Sequence, residues 1–173
     1  MKRILLVSTM LLLMGCSPKN LTYIHQDIFS MEYPQTWSVV AKEEDLPPNV
    51  LVAFVSPITA PDVANITVTS ATTTLTTTED FAAAAEAEFR NYPSLVEGET
   101  ESIRISGQKT LLKRGTVQKN ESEFTILLQT YVLKDNIAYI LTASLPGVTP
   151  PDSEEEVIKL LKTFELTEVE AAE

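Results

Sequence analysis

The chain has a single histidine, His25, and a single cysteine, Cys16, among its 173 residues. A lone cysteine excludes an intrachain disulfide framework. Nucleophilic catalysis by a Ser-His or Cys-His pair needs a histidine that a third group orients, and zinc sites need several nitrogen or sulfur ligands. Nothing around His25 indicates such partners. The sequence therefore predicts no catalytic residue and no metal-binding residue.

Glycine and basic residues are also scarce. The five glycines are scattered and form neither a P-loop nor a G-x-G-x-x-G motif, so no cofactor is predicted. Asp and Glu number 24 against 13 Lys and Arg, which gives a formal charge of −11. This balance argues against nucleic-acid binding through a basic patch. The acidic clusters have no partner at an informative spacing, and we interpret them as solvated surface.

The first sixteen residues carry the most specific pattern in the chain. Lys2 and Arg3 precede an apolar run from Ile4 to Met14, about 11 residues long. A bilayer-spanning helix needs roughly 20 residues, so this run is typical of a secretory signal peptide. It ends in Leu-Met-Gly-Cys, which resembles a bacterial lipobox with Cys16 as the lipidated residue. The alternative is an ordinary signal peptide followed by an incidental cysteine.

Lipidation at Cys16 would define both location and domain organisation. The resemblance implies a diacylglyceryl group and an N-acyl chain, and several acyl chains hold a protein stably on a lipid bilayer. We expect the periplasmic side of the outer membrane in a double-membrane bacterium, and otherwise the outer face of the plasma membrane. Residues 1–15 would be a signal peptide, 16–27 a lipid-anchored tether that includes His25, 28–167 one domain and 168–173 an acidic tail. Loss of Lys2 and Arg3 would change the formal charge from −11 to −13.

The domain shows strand periodicity with two helical interruptions. Alternation predicts strands at 29–33 and from Trp37 onward, joined as a hairpin by Pro34-Gln35-Thr36, because proline suits a turn better than a strand interior. Further strands are predicted at 50–55 and 65–73, with hairpins between 95 and 145. A helix follows Thr76 or Thr77, each of which has an acid three residues later, and Pro93 ends it. A last helix is capped by Asp152 or Ser153, and its buried face contains four residues: Val157, Leu160, Leu161 and Phe164.

This order of elements resembles the PsbP-like family, whose fold is shared with DcrB-type bacterial lipoproteins and with a Ran-binding nuclear transport factor. The matching segments run from about residue 28 to 167: "FSMEYPQTW", "VAFVSP", the single mid-chain helix, "ISGQKTLLKRGTV", "AYILTASLP" and "VIKLLKTFEL". The resemblance implies an antiparallel β-sheet between helices, an α/β/α arrangement. The elements read from the residues alone also predict an α+β fold. The only tryptophan, Trp37, is then interpreted as a core residue that closes one end of the sheet rather than as a ligand-stacking residue.

Two classes of function remain open from the sequence. The resemblance implies a non-enzymatic cell-envelope lipoprotein that acts as a binding or assembly-assisting module. The alternative is a cell-envelope hydrolase whose site is assembled from dispersed residues. The loop 42–49 places Leu46 beside Pro47 and Pro48 in a charged setting. Proline-rich backbone loses little entropy on binding, so these three residues are a candidate contact for a cell-envelope protein partner, although a plain connector has the same composition.

Overall fold

Two helices and ten strands make up the part of the chain that a computed structural model describes, residues 19–57, 63–90, 94–120, 122–148 and 151–167. Cys16 and the predicted signal peptide lie outside these ranges, as does the predicted acidic tail. The strands are β1 (Asn20–His25), β2 (Phe29–Pro34), β3 (Ser38–Val40), β4 (Val50–Val55), β5 (Asn65–Thr72), β6 (Leu95–Ile105), β7 (Gln108–Gln118), β8 (Phe124–Lys134), β9 (Ile137–Pro146) and β10 (Glu165–Leu166). The helices are α1 (Thr78–Arg90) and α2 (Pro151–Leu161), and a short 3₁₀ helix spans Glu43–Asp45.

Seven strands form one antiparallel sheet in the order β3-β4-β5-β9-β8-β7-β6. The hairpins predicted between residues 95 and 145 are present. Ser106 and Gly107 turn β6 into β7, and Asp135 and Asn136 turn β8 into β9, all four with positive φ. Two successive residues with positive φ match the right-handed twist of the flanking strands, which is why these short turns suit the hairpins.

The predicted hairpin around Pro34-Gln35-Thr36 is wrong. β2 pairs with β1 and with β10 in a separate three-stranded sheet, whereas β3 pairs with β4 at the edge of the large sheet. The segment between β2 and β3 therefore crosses from one sheet to the other. Alternation predicted both strands correctly, but it contains no information about which strand each of them pairs with.

Within the predicted tether at 16–27, residues Asn20–His25 form strand β1 and are therefore part of the folded domain. Every backbone position of β1 is in register with β2, from Asn20 opposite Pro34 to His25 opposite Phe29. Its inward-facing residues Leu21 and Tyr23 are half-buried and His25 is buried. The intervening polar residues give the segment a tether-like composition, but they lie on the solvent side of a strand.

One face of the large sheet packs on the small sheet and α2. Alternate residues of the strands are buried there together with the apolar side of α2, and Phe164 lies fully buried just beyond the helix. The ring of Phe164 lies 4.9 Å from that of Phe29 and 6.0 Å from that of Tyr139, so it joins α2, β2 and β9. The predicted buried face of the last helix is confirmed. This core contains, among others, Phe29, Met31, Phe54, Val68, Leu128, Leu141, Val157 and Leu161.

The opposite face of the sheet carries α1. Thr77 caps the helix: its Oγ1 accepts from the Asp80 backbone N–H at 3.1 Å and lies 2.7 Å from the Asp80 carboxylate. This agrees with one of the two predicted capping pairs. Phe81 packs edge-on against Tyr131 of β8, with 5.5 Å between ring centroids, and Phe89 is buried. The predicted helix end, at Tyr92 and Pro93, falls outside the described residues.

A buried lysine lies beneath α1. Lys113 of β7 is only 4% exposed, and its Nζ donates to the Ala82 carbonyl at 2.6 Å. Glu86 lies 3.8 Å from the ammonium, which also faces the Tyr131 ring at 5.9 Å. Burial lowers the pKa of Lys113, and the Glu86 carboxylate opposes that shift. Packing of the helix thus includes a charged group with little access to water.

Trp37 occupies the crossing between the two sheets. Its backbone N–H donates to the Pro34 carbonyl at 2.9 Å, and its side chain packs against the core cluster but remains half-exposed. The prediction of a packing role is therefore confirmed, while full enclosure in the core is not observed.

The layers are thus α1, the seven-stranded sheet, and the small sheet with α2. This arrangement confirms the predicted α+β fold with antiparallel strands between helices, and it adds a second sheet that the sequence analysis did not predict. Neither helix in the described ranges has the length and apolar character needed to cross a membrane.

Candidate binding cleft

A cleft of about 680 Å³ opens at one end of the large sheet. It lies between the turn that joins β1 to β2 and the loop that joins β3 to β4, with the beginning of β9 as its floor. Eight of its fourteen lining residues are apolar: Ile28, Ala41, Leu46, Pro47, Pro48, Val50, Leu51 and Ile137. The others are polar: His25, Gln26, Glu43, Asn49, Ser70 and Tyr139. A concave, mostly apolar surface with a few polar groups is the usual form of a binding site.

The loop side of the cleft is held in a defined conformation. The 3₁₀ helix Glu43–Asp45 leads into Leu46, and the Val50 N–H donates to the Pro47 carbonyl at 3.1 Å to close a turn. Asn49 has a φ of 67°, a region that asparagine tolerates better than most residues. Its carbonyl accepts from the Ser70 N–H at 3.0 Å, which ties the loop to β5. Pro47 and Pro48 are exposed, whereas Leu46 is half-buried against the cleft.

The other side is formed by the β1–β2 turn. Gln26 and Asp27 both have positive φ, and the Ile28 N–H donates to the His25 carbonyl at 2.8 Å. His25 precedes this turn, and its ring stacks on Phe29 with centroids 4.9 Å apart and planes 17° apart. Its Nδ1 and the Tyr23 hydroxyl are hydrogen-bonded at 3.0 Å.

Burial governs the ionisation of the titratable rings at the cleft. The His25 side chain is buried, and burial lowers its pKa, so the neutral imidazole is favoured. The pKa of the Tyr139 hydroxyl is raised by burial and also by the negative charge of Asp135. Burial likewise raises the pKa of Tyr23. Near neutral pH the cleft therefore presents the uncharged imidazole of His25 and the uncharged phenol of Tyr139, and among the described residues that line it Glu43 is the charged one.

These groups can hold a ligand by apolar contact and a few hydrogen bonds. Ser70 and His25 both line the cleft, but in the described part of the chain no hydrogen bond joins the two side chains, and the neighbour of His25 Nδ1 is a tyrosine. No group of three or more potential metal ligands occurs among the residues that the structure describes. A Ser-His relay needs the base within hydrogen-bonding reach of the nucleophile. The geometry thus favours binding.

The structure brings the three predicted contact residues, Leu46, Pro47 and Pro48, to the wall of this cleft. Leu46 itself is half-buried, so it also packs against the wall of the cleft. His25 was assigned to the tether and was missed as a lining residue. The signal that identifies it is the alternation of Leu21, Tyr23 and His25 on the inner side of β1. Cys16 lies outside the described residues.

No protein-family model and no curated protein matches this sequence. Solved structures do share its fold. The Ran-binding protein Mog1p of Saccharomyces cerevisiae has a TM-score of 0.60 at 8% identity, with 88% of this chain and 97% of Mog1p covered. The chain has the fold of PsbP and Mog1p. Cyanobacterial PsbP (CyanoP) from Synechocystis has a TM-score of 0.54 at 16% identity, with 88% of this chain and 95% of the CyanoP chain covered.

A third neighbour is LpqN of Mycobacterium tuberculosis, described as involved in cell envelope biogenesis. Its TM-score is 0.56 at 12% identity, with 87% of this chain and 91% of LpqN covered. At identities this low the likeness shows the fold alone. The PsbP-like fold predicted from the sequence is confirmed, and the functions of these neighbours are not thereby transferred to this chain.

Proposed function

We propose that this protein is a cell-envelope lipoprotein, anchored through Cys16, whose domain is a non-enzymatic binding or assembly-assisting module. Its partner is a cell-envelope protein that inserts a segment into the cleft beside Leu46, Pro47 and Pro48. The observation that carries the proposal is the cleft itself: the residues singled out by their composition form one wall of a concave, mostly apolar surface.

The anchor is supported by the lipobox-like ending of the signal segment, with the chain's only cysteine at the required position. A protein described as involved in cell envelope biogenesis, LpqN, has the same fold. In a double-membrane bacterium the proposed location is the periplasmic side of the outer membrane. In a single-membrane organism it is the outer face of the plasma membrane.

Binding is favoured over hydrolysis by the state of the polar groups. The stack on Phe29 and the contact with Tyr23 hold the His25 ring, and no nucleophile is hydrogen-bonded to it in the described residues. Exposed prolines next to a half-buried leucine give a surface that is already ordered before a partner arrives, which lowers the entropic cost of binding.

The binding role can be tested by crosslinking in cells. A photoreactive amino acid at Pro48 should give a discrete adduct with one envelope protein, and Leu46→Ser in the same chain should reduce that adduct several-fold. Ile24→Ser is the matched control, because Ile24 is a 62% exposed aliphatic residue that does not line the cleft. An adduct that is equally strong in both variants, or absent from the wild type, would contradict binding at the cleft.

The anchor is tested separately. Cys16→Ser should move the protein from the membrane fraction to the soluble fraction, or leave the precursor uncleaved, because the thiol that receives the lipid is lost. Mass spectrometry of the wild-type protein should show the acylated residue at the mature N-terminus. Wild-type protein of unmodified mass in the soluble fraction would contradict the anchor and leave the cleft unaffected.

A further inference from the structure

The described chain begins at the end of the sheet opposite the cleft. The Lys19 carbonyl accepts from the Gln35 N–H at 3.1 Å, and Asn20 is in register with Pro34. β1 runs from there to His25, which lines the cleft. Beyond Trp37, the beginning of β3 pairs with the end of β4, since Ser38 lies opposite Val55. Lys19 is therefore at the end of the sheet where β4 finishes and β5 begins.

Three apolar side chains are exposed at that same end. Val148 is 89% exposed, Val96 64% and Phe124 37%. Phe124 begins β8, and its carbonyl accepts from the Gly147 N–H at 2.8 Å, which places Val148 next to it. Val96, near the beginning of β6, lines a groove of about 240 Å³ together with Phe124. We refer to Val96, Phe124 and Val148 as the apolar patch.

The register of the strands confirms that the patch and Lys19 share an end. β5 begins at Asn65, opposite Ser144 of β9, and Val55 of β4 is opposite Asn65. β9 finishes two residues after Ser144, at Pro146, which is opposite Thr125 of β8. Three strand spacings of about 4.8 Å, or about 14 Å, separate β3, which follows the crossing beside Lys19, from β9, where the patch begins.

We propose that the apolar patch contacts the surface of the lipid bilayer, so that the domain stands with its cleft directed away from the membrane. The proposal rests on the proposed anchor at Cys16. Three residues lie between Cys16 and Asn20, and the four Cα-to-Cα steps between them span only about 14 Å even in a fully extended chain. The end of the domain that holds Lys19 is therefore kept close to the bilayer.

Length excludes the reverse orientation. β9 extends from Ile137 at the cleft to Pro146 at the patch, ten residues, or about 30 Å. A tether of about 14 Å attached at the far end cannot place the cleft on the bilayer while the domain stands upright. Between an upright and a lateral position, the apolar patch favours the upright one, because it gathers three of the five exposed large apolar residues of the described chain, whereas Ile24 and Ile28 lie near the cleft end of β1. An acidic domain is not attracted to anionic headgroups, so insertion of apolar side chains is the contact that remains.

The test uses the full, processed protein in vesicles. Acylation consumes the Cys16 thiol, so a cysteine introduced elsewhere is the only group that a maleimide dye labels. Val148→Cys and the cleft control Pro48→Cys are each labelled with an environment-sensitive fluorophore. They are then reconstituted in vesicles of phosphatidylethanolamine and phosphatidylglycerol that contain a lipid with a shallow doxyl quencher. We expect the dye at position 148 to be blue-shifted and quenched several-fold more than the dye at position 48.

Flotation of the unlabelled protein with the same vesicles measures membrane attachment through the anchor independently of the dyes. Failure to float overturns the anchor and with it this orientation. Flotation with equal quenching at both positions, or with stronger quenching at position 48, overturns the orientation alone and leaves the anchor in place. Each labelled variant must melt at the wild-type temperature. Val96→Cys provides a second patch position if Val148→Cys fails that requirement, and the same outcomes apply to it.

Discussion

Replacement of the buried Lys113 by Met should stabilise the domain by about 1 kcal/mol near neutral pH. The side chain is 5% exposed beneath α1 and carries a positive charge whose hydration is largely lost. Methionine has a similar length and flexibility, so the packing under the helix is kept. Its sulfur would lie near the Tyr131 ring, which the ammonium now faces at 5.9 Å, and sulfur–aromatic contacts are favourable.

The magnitude follows from two opposing contributions. The charged hydrogen bond to the Ala82 carbonyl at 2.6 Å is worth about 1.5–3 kcal/mol. Loss of this hydrogen bond leaves no unsatisfied acceptor, because the Ala82 carbonyl lies inside α1 and keeps its helical hydrogen bond. Glu86 is 41% exposed and also pairs with Arg90, so its attraction to Lys113 contributes less than about 1 kcal/mol. Desolvation of the ammonium costs several kcal/mol. This cost equals or exceeds the sum of the hydrogen bond to Ala82 and the attraction to Glu86.

The pH dependence gives a second measurement with a definite sign. Burial lowers the folded-state pKa of Lys113, so between that pKa and the unfolded value near 10.4 the unfolded state binds more protons. The free energy of unfolding of the wild type should therefore rise with pH in this window, and the advantage of Lys113→Met should shrink. Tyr23 and Tyr139 have raised pKa values, and their contribution is lost only above about pH 10, so the series stops near pH 9.5.

Urea unfolding followed by far-ultraviolet circular dichroism provides the assay, on the chain from residue 16 with Cys16→Ser. Lys109→Met is the control, because Lys109 is 60% exposed opposite Glu79, and its loss should change stability by less than about 0.5 kcal/mol. Destabilisation of Lys113→Met by more than about 1 kcal/mol would show that the hydrogen bond outweighs desolvation. A difference that stays constant with pH would refute the lowered pKa.

Three further predictions concern the cleft, the crossing and the helix cap. His25 has a lowered pKa in the folded state, so its contribution to stability is present above about pH 6.5 and is lost as pH falls through the folded-state pKa. In urea titrations, His25→Phe should therefore lose less free energy of unfolding than the wild type between about pH 7 and 5.5. Equal losses in the two proteins would contradict the lowered pKa. Trp37→Ala should cost about 2 kcal/mol in the same assay, below the 3–5 of a fully buried aromatic, and a cost near zero would mean that its contacts with the core carry no energy. Thr77→Ala should cost about 1 kcal/mol and Thr77→Asn much less, as seen in thermal melts, and equal costs would argue against capping.

The sequence predicted the meander of β6 to β9 well because each turn carries its own local signal. Gly107, Asp135 and Asn136 are residue types that tolerate positive φ, and the flanking alternation is uninterrupted. It failed at Pro34-Gln35-Thr36 because pairing is a tertiary property. β2 pairs with β1 and with β10. β10 is only two residues long and distant in the chain, so no local pattern predicts its pairing with β2.

The candidate site shows the same division between local and long-range information. The composition of the loop 42–49, which is local information, was enough to predict a contact at Leu46, Pro47 and Pro48. The cleft exists because His25 and Tyr139 are brought to them, and that requires the register of β1 on β2 and of β9 on β5. In the sequence, His25 follows a short segment in which polar residues occupy some of the alternate positions, and this composition is also typical of a linker. The segment can be identified as a strand only when its pairing with β2 is known.

β1 links the proposed anchor to the cleft, and its direction separates the two roles. The strand begins at Asn20, four residues after Cys16, and ends at His25 in the cleft wall. Residues inserted between Cys16 and Lys19 would raise the whole domain without changing the cleft. The apolar patch would lose its contact with lipid first, because that contact depends on a tether of about 14 Å. In the proposed orientation a partner would reach the cleft from the side away from the bilayer, so it would not compete with lipid for the surface it binds. If both proposals hold, Val148 substitutions should weaken the contact of the apolar patch with lipid while Cys16 keeps the protein anchored, and Leu46 substitutions should weaken partner binding alone.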